Sequence, residues 1–103
     1  MNDKELLELA AKAAGIEYTG EGYARAVLSG THGHFENYPW NPLTDDADAL
    51  RLAVKLSLLF DLPETYESVR ALYYEELNND LRPSEATCRA IVRAASEIGR
   101  GME

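Results

Sequence analysis

The chain has 103 residues, 46% of them hydrophobic, enough for one modest core and hence for a single domain over 1–103. Ten basic residues against eighteen acidic ones leave a net charge of −8, which disfavours direct binding to a nucleic-acid backbone and assists binding to a basic protein surface. A lone cysteine, Cys88, excludes an internal disulfide and a cysteine-clustered zinc site. The short apolar runs exclude a transmembrane span, and the charged first helix does not read as a signal peptide, so the expected setting is cytosolic.

The first predicted helix covers Asp3 to Ala14, with Asn2 as N-cap and Glu5 in capping-box register. Leu6, Leu9, Ala10 and Ala13 form its apolar face, broadened by Leu7, Ala11 and Ala14, and Gly15 stops it. Two β-like runs follow, at 23–29 and 34–38, joined by Gly30, Thr31, His32 and Gly33; they predict a hairpin.

The segment 39–58 carries the densest local information. Pro39 and Pro42 restrict the backbone around Trp40 and Asn41, Thr44 is placed to cap a helix from about 45 to 58, and Asp45, Asp46 and Asp48 sit near its positive end. This helix has two apolar faces. Ala47, Leu50, Ala53, Val54 and Leu58 form one, while Ala49, Leu52, Leu56 and Leu59 form another roughly opposite. Such a helix is expected between layers, or with one leucine face left for a partner or a second copy.

Residues 57–77 admit two readings. SLLFDL and SVRALYYEEL around PETYE suggest a second hairpin, the favoured reading given the aromatic and β-branched residues between Val69 and Tyr74 and the Asn78, Asn79, Asp80 breaker; yet Tyr66, Val69, Tyr73 and Leu77 also keep helical spacing from Pro63. A last helix is predicted after Pro83, with Ser84 as N-cap and an end near Gly99. Its apolar face is Thr87, Cys88, Ile91, Ala94, Ala95 and Ile98, and Arg89, Arg93 and Arg100 form a stripe on the far side that faces either solvent or an acidic neighbour.

Three blocks, ELLELAAKAAGI at 5–16, WNPLTDDADALRLAVKL at 40–56 and ATCRAIVRAASEIGRG at 86–101, together resemble the phage alpha-beta-alpha sandwich domain family of small phage-encoded proteins. The resemblance implies an α+β fold of order α-β-β-α-β-β-α, with antiparallel hairpins forming a sheet packed against helices. It supplies no catalytic residues, and it leaves recognition to the divergent stretches 17–39 and 57–83.

Candidate chemistry is sparse. His32 and His34, two apart, would point to one side of a strand as a metal pair requires, with Glu36 extending the row, but a further ligand is missing nearby. Cys88 lies on the apolar side of a helix, where a thiol is core rather than nucleophile. No phosphate-cradling glycine loop or nucleophile context surrounds Ser29, Thr31 or Ser57. No enzyme activity, cofactor or bound metal is therefore expected.

Between Glu36 and Asp80 lie ten acids and three bases, nearly all of the net charge, interleaved with tyrosines of the kind that anchor interfaces. The expected function is a non-catalytic phage accessory protein that binds a host protein in the cytoplasm. In its specific form it is an acidic inhibitor of a bacterial defence complex, such as a CRISPR effector, occupying a basic nucleic-acid-binding groove. The expected contact residues are Asp61, Glu64, Glu67, Tyr74, Glu75, Glu76 and Asp80. The alternatives are a self-associating module paired through Leu52, Leu56 and Leu59, and a small metal-dependent enzyme built on His32 and His34.

Overall fold

The computed structural model of the chain describes residues 2–20, 22–27, 35–56 and 63–102. Their order is α1 (Asp3–Ala14), β1 (Glu17–Gly20), β2 (Tyr23–Val27), β3 (Phe35–Pro39), α2 (Asp46–Lys55), α3 (Pro63–Leu77) and α4 (Pro83–Arg100). The result is a small, mostly helical α+β architecture with one antiparallel sheet in the order β1-β2-β3.

α1 starts and stops where its sequence dictates. The Glu5 N–H donates to the Asn2 side chain at 2.8 Å, and Gly15 takes the left-handed conformation at φ 70°, which L side chains resist. β2 and β3 form the expected hairpin in the register Tyr23↔Pro39 to Val27↔Phe35. β1 adds a third strand that the sequence reading did not assign, paired with β2 from Glu17↔Arg25 to Gly20↔Tyr23. Alternation turns Tyr18, Ala24 and Tyr38 inward and leaves Glu17, Tyr23, Arg25 and Asn37 outward.

The Trp40–Asp48 segment is a small hydrogen-bonded knot. The Trp40 N–H donates to the Gly22 carbonyl at 2.8 Å, and its ring meets Tyr18 edge-on with centroids 5.6 Å apart, pinning the knot to the sheet. The Asn41 side chain accepts from the Leu43 N–H, and the Asn41 N–H donates to Asp48 Oδ2 at 3.0 Å. The cap of α2 is Asp45, not Thr44: Asp45 Oδ1 accepts from the Asp48 N–H at 3.0 Å, while the Thr44 hydroxyl turns back to the Asn41 carbonyl. A carboxylate wins this position because it also meets the helix dipole.

The expected second hairpin is corrected: residues 63–77 form α3, so the order ends β-α-α-α. Val69, Leu72, Tyr73 and Leu77 keep the helical period, Glu64 and Glu67 favour a helix N-terminus, and the aromatic run yields to that pattern. The turn to α4 closes with Asp80 at φ 65°.

α4 begins with Arg82 as N-cap and Pro83 at its first position, so Ser84 is two residues too late to cap it. It is the central element, packed on α1, α2 and α3, and it is buried well beyond one face, through Ala86, Ala90, Val92 and Ser96 as well as Cys88, Ile91, Ala94 and Ala95. Thr87 and Ile98, expected in the core, are exposed. Small residues permit this crowding. Gly99 lies against the Leu9 backbone so closely that a Cβ there would collide with the Leu9 carbonyl.

Candidate functional site

The strongest concentration of charge in contact lies where α3 crosses α4. On α3, Val69, Leu72, Tyr73 and Glu76 share the inward stripe, so a carboxylate occupies a position where the period calls for an apolar side chain. Glu76 is 5% exposed. Arg93 Nη1 donates to its Oε1 at 2.7 Å, and Arg89 Nε stands 3.6 Å from its Oε2. Arg89 in turn donates to Asp3 on α1 at 3.1 Å, and Arg93 to Glu75 at 3.3 Å. The chain of contacts Asp3–Arg89–Glu76–Arg93–Glu75 thus ties three helices together, and the buried charge is compensated as it must be.

Beside this network opens a cleft of about 390 Å³, floored by Leu6 and Leu72 and rimmed by Asn79, Ser96, Glu97 and Arg100. Arg100 pairs with Glu97 at 3.5 Å. The arginine stripe does not simply face solvent: Arg89 and Arg93 are only 31% and 28% exposed, and their acidic neighbours belong to the same chain. Spacing held the signal. Arg89 and Arg93 are four apart on one helix, and Glu76 continues the inward stripe of another.

The expected contact residues separate into different environments. Asp61 lies outside the described residues, and Glu64 belongs to the first turn of α3. Glu67, Glu75 and Asp80 are exposed, Glu67 lying 3.9 Å from Arg70. Tyr74 is 52% exposed, its ring 5.7 Å from the Arg70 guanidinium and edge-on to Tyr73 at 5.4 Å. Glu76 faces the interior, so it is not available to a partner in this arrangement.

Cys88 is 3% exposed. Its Sγ–H donates to Asp46 Oδ1 at 3.1 Å, and burial, then the hydrogen bond and charge of Asp46, push the thiol up to about 12. A thiol held protonated is a poor nucleophile. His32, His34 and the side chain of Glu36 lie outside the described residues. Among the described residues, no group of three or more His, Cys, Asp or Glu side chains is placed to hold a metal, no helix is long and apolar enough to cross a membrane, and every buried side-chain nitrogen or oxygen has a partner.

α2 corrects the expected self-association face. Leu52 is 2% exposed and Leu56 packs against the core, whereas Leu50 and Val54, on the other apolar face, are 54% and 58% exposed. Leu58 and Leu59 lie outside the described residues. No family model, curated protein or solved structure matches the chain. Nothing in these comparisons links the chain to a phage family.

Proposed function

We propose that this chain is a non-catalytic phage accessory protein that acts in the host cytoplasm by docking the outer side of α3 on a basic surface of a host protein. The observation that carries this reading is Tyr74: a large amphipathic ring left half in solvent beside the Arg70 guanidinium, on a helix that also exposes Glu67 and ends just before exposed Asp80. Aromatic and arginine side chains are the usual anchors of interfaces, and a rim of carboxylates steers encounter with a basic partner. A nucleic-acid-binding groove, as in a bacterial defence effector, has the complementary charge; occupying it would deny that groove to its nucleic acid.

Affinity capture from bacterial host lysate tests the reading. The wild-type chain is expected to retain a host protein near 0.15 M salt and release it near 1 M, roughly the range over which exposed charges become screened. Tyr74→Ala should weaken that capture at least about tenfold, the ordinary cost of an interface anchor. Retention unaffected by both salt and Tyr74→Ala would contradict the proposal.

A second reading is favoured by the exposed Leu50 and Val54 on α2: self-association as a structural module. Sedimentation as a monomer at high micromolar concentration would remove it.

A further inference from the structure

We propose that α3 is docked as a separable element, closed by a charge clasp, and that it opens on the α1–α4 body without that body unfolding. The inference concerns the inner side of α3 and does not depend on any partner for its outer side. Three observations carry it.

The first is what holds the helix. Among the described side chains of α3, Val69 is the one apolar residue that is fully buried, with Leu72 and Tyr73 half-buried against the core; α1 and α4, by contrast, bury leucines, alanines, Val92 and Ile91 against each other. The most enclosed polar contact of α3 is Glu76, and both of its arginines come from α4. A segment with few buried apolar contacts and its own ionic anchor belongs to the low-stability end of a structure, where opening precedes global unfolding.

The second is that the seam is not closed. The cleft of about 390 Å³ between α3 and α4 opens to the surface and is lined by Glu75, Glu76, Arg89 and Arg93 themselves, with Leu72 and Leu6 of α1, so the clasp stands at an open edge of the seam.

The third is the elbow. Asp80, at φ 65°, occupies a conformation L residues seldom adopt, and it follows hydrogen bonds from Asn78, Asn79 and Asp80 back to the last turn of α3. A conformational change confined to this turn would swing α3 as a body. Opening would free Arg89 and Arg93 from Glu76, while Asp3 still holds Arg89.

Native-state hydrogen exchange on the full chain decides the matter. The α3 amides are expected to exchange through an opening at least about tenfold more frequent than that of α1 and α4, and Glu76→Gln should raise α3 exchange about a hundredfold while α1 and α4 change little. Glu97→Gln, which weakens an exposed pair with Arg100 and not the clasp, should leave all three helices unchanged. The proposal is overturned if Glu76→Gln accelerates α1, α3 and α4 equally or unfolds the chain, if it leaves α3 unchanged, or if Glu97→Gln has the same effect as Glu76→Gln.

Discussion

Glu75 and Glu76 are neighbours in sequence and opposites in environment, because one residue of helix turns a side chain by about 100°. Glu75 reaches Arg93 from solvent, while Glu76 is enclosed by the same arginine and Arg89. Breaking an enclosed pair by removing one partner costs about 3–5 kcal/mol, an exposed pair about 1 kcal/mol or less. Arg93→Ala should therefore destabilise the docking of α3 far more than Arg70→Ala does, as read by tyrosine fluorescence during urea unfolding.

Gly99 makes a sharper case at the same scale: Gly99→Ala introduces a methyl group against the Leu9 carbonyl and should cost about 2–3 kcal/mol, despite the better helix propensity of alanine. A urea midpoint equal to or above wild type would contradict the close approach of α1 and α4.

Cys88 gives a prediction in pH. Its folded pKa, about 12, lies above the ordinary thiol value of 9.0, so its stabilising contribution is complete below about pH 9 and is lost as pH rises toward 12. The stability difference between wild type and Cys88→Ala should shift by about 2 kcal/mol in favour of the variant between pH 8 and pH 10.5. An unchanged difference would show that the thiol is not enclosed with Asp46.

At the scale of elements, the cap and stop of α1 were legible, the caps of α2 and α4 were displaced by one and two residues, and partners were not legible. Asn2, Gly15 and the Asn41–Asp48 segment act through neighbours a few residues away, so sequence spacing contains their geometry, whereas Trp40 reaches Gly22 and Tyr18 across the sheet. The boundaries of α1 follow directly, and β2 with β3 lie where alternation places them. β1 escaped notice because Glu17–Gly20 has a single aromatic and a glycine, and only pairing with β2 makes it a strand. Local β propensity makes 68–77 look like the second strand of a hairpin, against a helical period whose benefit appears only once α4 is present to receive it; the first expected strand, 57–62, lies outside the described residues. The choice between the two apolar faces of α2 was equally invisible, since the sequence contains both and the core takes from each, Ala49 and Leu52 from one and Ala53 from the other.

Asp45 or Thr44 as cap is a small test of this scale. Asp45→Ala should lower stability by about 1 kcal/mol and Thr44→Ala by only a few tenths, measured by circular dichroism during thermal unfolding. The reverse order would restore the sequence-based assignment.

For the whole molecule, a net charge of −8 is distributed so that its basic residues are largely engaged internally. Arg25, Arg51, Arg70, Arg82, Arg89, Arg93 and Arg100 each lie within 4.0 Å of a carboxylate of the same chain. A surface with its cations occupied and several carboxylates exposed attracts cationic partners and keeps copies of itself apart. The candidate site was half legible: acidic residues between 61 and 80 stand out in composition, but that Glu76 belongs to the interior required knowing which helix α3 meets.

The most direct measurement is the affinity of the captured host protein for the double variant Glu67→Lys, Asp80→Lys, with Glu75 and Glu76 untouched, measured beside wild type at physiological salt. Binding is expected to weaken about tenfold or more, with the helical circular dichroism spectrum retained. Wild-type affinity in a variant whose outer charge has been reversed would contradict it.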